Sequence, residues 1–94
     1  MRVLIIIPAY NEEKNLPKLL LELKQKYPVY EVVVINDCSK DNTTRVCNDL
    51  NIAVVDLPAN LGIGGAVQTG YRYAKYKEFD VAIQVDGDGQ HNPA

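Results

Sequence analysis

The sequence predicts an α/β fold with a parallel, Rossmann-like sheet of four strands in the order 3-2-1-4. Four short runs of β-branched apolar residues are separated by segments whose apolar residues recur every three or four positions. This alternation is typical of strands joined by crossover helices. With 94 residues, 47% of them apolar and 23% charged, the chain is long enough for one small domain with a packed core and too short for two.

The first strand and helix are predicted from a buried run and the helical stripe after it. Residues 2–8 read RVLIIIP, a continuous apolar run typical of a strand buried on both faces. The helix is predicted to begin at Asn11, whose side chain suits a cap. That start would leave Pro17 inside the helix, beyond its first turn. The apolar stripe of this helix consists of Leu16, Leu19, Leu20, Leu23 and Tyr27.

The second strand and helix follow the same pattern. Residues 31–36 read EVVVIN and form the next buried run. Ser39 or Asp41 is expected to cap a short helix after it, because short polar side chains accept hydrogen bonds from the first free amides of a helix. The inner face of that helix is predicted to carry Val46, Cys47 and Leu50.

The last two strands flank a helix that begins in a glycine-rich segment. Strands are predicted over residues 52–57 and 79–85. Residues 60–65 read NLGIGG and start the helix between them. Within it, Gly70 is expected to permit close packing on the sheet. The face turned to the core is predicted to carry Ala66, Val67, Gly70, Tyr71 and Ala74.

The predicted topology places the polar residues at one rim of the sheet. Parallel strands joined by helices use right-handed crossovers, and ligands bind at the carboxyl ends of the strands where the strand order reverses. In the order 3-2-1-4 that point lies between strands 1 and 4. Residues 8–12, 36–39 and 86–91 follow strands 1, 2 and 4. We expect these three segments to meet there and form the functional site.

Asp86 and Asp88 are the strongest candidates for chemistry at this rim. Two residues apart on an extended chain, their carboxylates point to the same face and repel each other unless a cation lies between them. Oxygen ligands suit Mg²⁺ or Mn²⁺, and Gln90 would add a third oxygen. The favoured interpretation is a divalent-metal site, and the alternative is an Asp-Gly turn that closes a hairpin.

Other polar positions leave alternatives open. Asp37 is either an acceptor for a base or ribose group or a turn residue before the next helix. His91 is either a solvated loop residue or a contact to a diphosphate or to the metal. The glycines of residues 62–65 form either a tight helix start or an anion site.

Three familiar ligand-binding motifs are excluded. An EF-hand loop requires glycine where His91 stands. Residues 62–65 are not followed by the Gly-Lys-Ser/Thr of a P-loop. The segment after strand 1 reads PAYNE and not the glycine-rich fingerprint of a dinucleotide site. Calcium sensing, P-loop chemistry and NAD binding are therefore not supported.

Charge, hydropathy and cysteine spacing exclude further classes. A net charge of -2 and a pI near 5.2 provide no basic surface for nucleic acid. The longest apolar run, residues 3–7, is far shorter than the roughly 20 residues of a membrane span. Cys38 and Cys47 match no metal-ligand spacing and fit a reducing cytosol.

Four sequence blocks together resemble one known family. They are PAYNEE at 8–13, INDCSKDN at 35–42, NLGIGGA at 60–66 and VDGDGQH at 85–91. In this order they are similar to the amino-terminal half of a family 2 glycosyltransferase of the GT-A fold. The pattern Asp-x-Asp-x-Gln-His is most similar to the dolichyl- or polyprenyl-phosphate sugar transferase type.

The resemblance implies roles for individual residues. Asp86, Asp88 and Gln90 would hold Mg²⁺ or Mn²⁺ at the diphosphate, and Asp37 would hydrogen-bond the base. Two residues depart from the family pattern, Cys38 where glycine is usual and Ile63 where many relatives have lysine. The residues implied to bind or border the nucleotide are Pro8, Ala9, Tyr10, Glu12, Asp37, Asn60, Gly62, Gly65 and Asp86.

The implied reaction is inverting transfer from a UDP- or GDP-linked sugar to an acceptor, which for this type includes a lipid phosphate. In the family the general base lies downstream of the metal motif, so we expect none within residues 1–94. We therefore expect a single nucleotide-sugar-binding domain over 1–94, truncated after that motif. It would be cytoplasmic or held at the cytosolic face of a membrane by further segments, and its exposed sheet edge would favour a homo-oligomer. The alternative is a non-catalytic nucleotide- or metal-binding module.

Overall fold

The computed structural model describes residues 1–86, in which strands and helices alternate along the chain. The sheet has the order β3-β2-β1-β4, and every pairing between neighbouring strands is parallel. The predicted fold class and strand order are confirmed. The elements are β1 (Val3–Ala9), α1 (Leu16–Lys26), β2 (Glu31–Asn36), α2 (Thr43–Asp49), β3 (Ala53–Asp56), α3 (Gly62–Tyr76) and β4 (Val81–Gln84).

The central strand β1 is buried on both faces. Ile5 and Ile7 contribute to the core beneath α1 and α2, whereas Leu4 and Ile6 contribute to the core beneath α3. On its edges β1 pairs with β2 and with β4. This position explains the continuous apolar run, because neither face of the strand meets solvent.

The helices cover the two faces unequally. Four leucines of α1 and Cys47 of α2 pack on one face, and α3 alone packs on the other through Ala66 and Ala74. A Cβ atom added at Gly70 would overlap Cγ2 of Ile6. The close approach predicted at Gly70 is therefore present, and it brings the backbone of α3 directly onto β1.

Helix α1 begins later than predicted. Its first residue is Leu16, and Asn11 is no cap, since its backbone lies in the left-handed region with φ 54°. The side-chain Oδ1 of Asn11 instead accepts a hydrogen bond from the amide of Lys40, at 2.8 Å. Pro17 consequently falls in the first turn, where a proline costs the helix no hydrogen bond.

Helix α2 begins at Thr43, and its N-cap is Asn42, which makes no side-chain capping hydrogen bond. Asp41 Oδ1 accepts a hydrogen bond from the amide of Thr43, at 3.0 Å. Ser39 does not bond to the helix, and its Oγ accepts a hydrogen bond from the amide of Asn11, at 2.9 Å. Asp41 therefore bonds to the first helical amide from one residue before the N-cap, and neither Asp41 nor Ser39 is the cap residue itself, since the side chain of Ser39 faces the loop after β1.

The prediction that Tyr71 belongs to the core is wrong. The side chain is 47% exposed. Helix α3 touches the sheet along Ala66, Gly70 and Ala74, a stripe of small residues spaced by four. Tyr71 lies one position beyond this narrow contact line and remains at the boundary.

Candidate functional site

A cavity of about 260 Å³ opens at the carboxyl ends of the strands, where the order reverses between β1 and β4. Segments from β1, β2, α3 and the end of β4 meet there. This is the position at which open parallel sheets bind ligands. The residues that line the cavity are Pro8, Ala9, Tyr10, Glu12, Asp37, Ile63, Ala66 and Asp86.

The structure brings six of the predicted nucleotide residues together around this cavity. The other three, Asn60, Gly62 and Gly65, lie at or near the start of α3 and do not line it. Gly65 has a packing role, because a Cβ there would lie 2.5 Å from Cβ of Leu61. Ile63 and Ala66 line the cavity although the predicted nucleotide set did not include them. Their helical spacing of three residues after a glycine-rich start was the signal that could have identified them.

Asp37 joins the start of α3 to the sheet. Its side chain is only 4% exposed. Oδ1 accepts a hydrogen bond from the amide of Leu61, at 2.7 Å, and Oδ2 accepts one from the amide of Gly62, at 2.9 Å. A helix start favours a carboxylate, because its first amides are free and its dipole is positive there. Asp37 therefore anchors α3 and at the same time lines the cavity.

The amide of Asp37 completes this connection on the other side. It donates to the carbonyl oxygen of Ala9, at 2.9 Å, which continues the pairing of β1 with β2 beyond the strands. Asn60 assists at α3, where its Oδ1 also accepts a hydrogen bond from the amide of Gly62, at 3.0 Å. Through its buried carboxylate and its backbone amide, Asp37 thus ties together three of the segments that form the cavity wall.

Asp86 brings an oxygen donor to the cavity from the end of β4. The side chain is half-buried, and Nε2 of Gln84 donates to its Oδ1 at 3.3 Å. Within residues 1–86 no three His, Cys, Asp or Glu side chains are grouped to hold a metal ion. Asp88 and Gln90, the other predicted ligands, and His91 lie outside the described residues. The carboxylate of Asp86, which lines the cavity, is the kind of oxygen donor that a hard divalent cation prefers.

Residues 4–94 match the family described as Glycosyl transferase family 2. The chain belongs to this family. Over 98 residues it is 39% identical to the undecaprenyl-phosphate mannosyltransferase of Micrococcus luteus, an alignment that covers 99% of the chain. The chain spans 40% of the length of that relative. The expected resemblance to polyprenyl-phosphate sugar transferases of family 2 is confirmed.

Two solved structures share the fold of this family 2 chain. The mannosyltransferase PcManGT from Pyrobaculum calidifontis, in complex with GDP-Man and Mn²⁺, superposes with a TM-score of 0.82 at 24% identity. That match covers 93% of this chain and 27% of PcManGT. TarS of S. aureus, in complex with UDP-GlcNAc, superposes with a TM-score of 0.73 at 31% identity, covering 94% and 27%. The GT-A type of the Rossmann-like sheet is thereby confirmed.

The two cysteines of the family 2 chain differ in environment. Cys38 is exposed and Cys47 is buried, and both are free. Burial, and to a lesser extent the charge of Asp56, raises the pKa of the Cys47 thiol to about 11. Cys47 therefore stays protonated near neutral pH and is a core residue, not a nucleophile.

Within residues 1–86, none of the three helices has the length and apolar character that a membrane crossing requires.

Proposed function

We propose that this chain is the donor-binding part of a family 2 glycosyltransferase and that its cavity holds a nucleoside diphosphate sugar. The observation that carries the proposal is the cavity between β1 and β4, where residues from all four sequence blocks meet, with Ile63 and Ala66 contributed by α3. Tyr10 and Glu12 come from the loop after β1, Asp37 follows β2, and Asp86 follows β4. The membership of the chain in family 2 supports the same function.

A divalent cation, Mg²⁺ or Mn²⁺, is part of the proposal. Asp86 would hold it with Asp88 and Gln90, and the position of Asp86 at the cavity supports this set. A bound cation supplies Lewis-acid stabilisation for the charge that develops on the leaving diphosphate. PcManGT, which shares the fold, is complexed with GDP-Man and Mn²⁺.

The remaining residues bind and orient the donor. Pro8 and Ala9 line the cavity at the end of β1, while Asp37 would accept a hydrogen bond from the base. Asn60, Gly62 and Gly65 would act through the start of α3, which Asp37 anchors. We assign the general base to none of these residues, since Glu12 lies on the nucleotide side.

The reaction proposed for the whole enzyme is inverting displacement at the anomeric carbon, with a polyprenyl phosphate as acceptor. The acceptor class is supported by the Micrococcus luteus relative, which is an undecaprenyl-phosphate mannosyltransferase. The donor is expected to be linked to GDP or UDP, the nucleotides of the two solved structures. An association of the enzyme with the cytosolic face of a membrane would follow from that acceptor.

The test is calorimetric titration of the chain with UDP and GDP, with and without Mn²⁺. We expect Mn²⁺ to strengthen the binding of one nucleotide and Asp88→Ala to remove that increment, because the substitution removes a predicted ligand. The exposed Asp49, at the end of α2, provides the control Asp49→Ala, which has the same charge change and should bind like the unmodified chain. An Asp88→Ala variant that keeps the full Mn²⁺-dependent increment would refute the metal assignment.

A second candidate is a nucleotide-binding module without catalysis. It concerns the 94-residue chain by itself, in which none of the cavity-lining residues is assigned as a general base. Incubation of the chain with a nucleotide sugar and a polyprenyl phosphate separates the two candidates. Product formation would exclude the non-catalytic module, and binding without product would support it.

A further inference from the structure

The loops that follow β1 and β2 are hydrogen-bonded to each other along their length. We call residues 10–15 the first loop and residues 37–42 the second loop. The amide of Asn11 donates to Oγ of Ser39 at 2.9 Å, and the amide of Lys40 donates to Oδ1 of Asn11 at 2.8 Å. Each loop therefore satisfies backbone amides of the other.

Asp41 of the second loop and Thr43, the first residue of α2, make further contacts with the first loop. The amide of Glu13 donates to Oδ2 of Asp41 at 3.1 Å, and the amide of Glu12 donates to Oγ1 of Thr43 at 3.3 Å. Asp41 Oδ1 accepts hydrogen bonds from the hydroxyl and from the amide of Thr43. The side chain of Thr43 is fully buried. These two side chains thus hold two successive amides of the first loop.

The hydrogen-bond pattern supports an ionised Asp41. Partial burial of this carboxyl opposes ionisation, but the hydrogen bonds from the Thr43 hydroxyl and from the amides of Glu13 and Thr43 outweigh it. Together they lower the pKa of Asp41 below its ordinary value. The carboxylate therefore accepts all three hydrogen bonds at neutral pH.

The first loop needs such support because no regular structure holds it. β1 ends at Ala9 and α1 begins only at Leu16. Tyr10 and Glu12 of this loop line the cavity, whereas neither Asp41 nor Thr43 does. The hydrogen bonds that fix the first loop, and with it Tyr10 and Glu12, therefore come from side chains that do not line the cavity.

We propose that Asp41 and Thr43 are positioning residues that hold the first loop against the second and thereby place Tyr10 and Glu12 at the donor cavity. The functional part of this inference rests on the proposed function. The loop contact itself is a property of the chain with or without a ligand. The two parts therefore have separate readouts.

The test uses Thr43→Val, which keeps the size of the side chain and removes its hydroxyl, and Thr43→Ser, which keeps the hydroxyl. Thr69→Val is the matched control, because the Thr69 hydroxyl donates to the carbonyl oxygen of Gly65 within α3. Amide hydrogen exchange is measured at Glu12 and Glu13 and, for comparison, at Ile6 and Val34 in the sheet. Titration with UDP and GDP in Mn²⁺ follows for each variant.

Thr43→Val should speed exchange at Glu12 and Glu13 about 5- to 10-fold and weaken nucleotide binding by a similar factor, as expected for the loss of about one hydrogen bond. Exchange in the sheet should stay unchanged, Thr43→Ser should restore both properties, and Thr69→Val should change neither loop exchange nor binding. Equal changes at loop and sheet amides would indicate a general loss of stability and overturn the proposal. Unchanged exchange at Glu12 and Glu13 would also overturn it.

The two proposals fail in different ways. If the unmodified chain binds neither nucleotide, the proposed function fails, while loop exchange still decides whether Thr43 holds the first loop. If the unmodified chain binds and Thr43→Val binds equally well, the positioning role is refuted and the proposed function stands. Asp41→Asn is the second variant, in which a side-chain NH₂ group replaces one acceptor oxygen, and it should reproduce the faster exchange at Glu13.

Discussion

Cys38 shows how one backbone angle explains a departure from the family pattern. It stands where the family resemblance implies glycine, and its φ is 60°, in the left-handed region that favours glycine over residues with a Cβ. The turn therefore keeps its geometry although the residue has changed. The resemblance to family 2 identified the position, but only the backbone angle shows why glycine is usual there.

Replacement of Cys38 by glycine should stabilise the chain. Relief of the left-handed conformation is expected to raise the free energy of unfolding by about 1 kcal/mol, measured by denaturant unfolding. Cys38→Ala is the control, because it keeps the Cβ and should leave the stability nearly unchanged. If glycine and alanine shifted the stability equally, the effect would come from loss of the thiol and not from the backbone.

At the scale of the element, the close approach of α3 to β1 determines which residues of the helix are buried. Apolar periodicity predicted which side of the helix faces the sheet, and Ala66, Gly70 and Ala74 are buried there. The same periodicity wrongly included Tyr71, because the width of a helix contact depends on the size of the residues at its centre. Small residues bring the helix close and leave a larger neighbour at the boundary.

Two glycines in α3 should respond oppositely to alanine. Gly70→Ala is expected to lower the free energy of unfolding by about 1–3 kcal/mol, since the added methyl group overlaps Ile6 in a packed core. Gly64 lies in the same helix with open space around it. Gly64→Ala should therefore raise the stability by about 0.5–1 kcal/mol through helix propensity.

Thermal and denaturant unfolding of both variants provide the measurement. Stabilisation by Gly70→Ala would mean that α3 is free to move away from β1. That result would contradict the close packing of Gly70 against Ile6.

At the scale of the whole molecule, the sheet order decides where the cavity lies and which edges are open. β4 pairs with β1 on one side, and within residues 1–86 no strand pairs with its other side. Val81 and Ile83 of this strand are 38% and 41% exposed. An open edge beside apolar side chains is a surface on which another strand can pair.

We expect the chain to self-associate through this edge. Sedimentation velocity over a range of concentrations should show reversible association, and Ile83→Lys should reduce it by placing a charge beside the edge. Val29 lies in the loop between α1 and β2 and is 84% exposed, so Val29→Lys adds the same charge elsewhere. Equal effects of the two lysines would point to net charge and not to the edge of β4.

The sequence alone determined the features of the fold that depend on residues adjacent in the chain. Four strands follow from apolar runs, although only β1 is buried along its whole length and the edge strands β3 and β4 are partly exposed. Their parallel direction follows from the helices between them. Polar residues after the strands then had to meet at the carboxyl rim. These signals are local, because burial of a strand on both faces and the direction of a crossover are expressed within a few adjacent residues.

Only the tertiary structure decided how the rim is held together. Asp37 bonds to amides 24 and 25 residues away, and Asp41 bonds to an amide 28 residues away. Asn11 carries the sequence signal of a helix cap, yet it bonds to the second loop because that loop is adjacent in space. Hydrogen bonds between distant segments form only after the strands are paired, so no local pattern in the sequence predicts them.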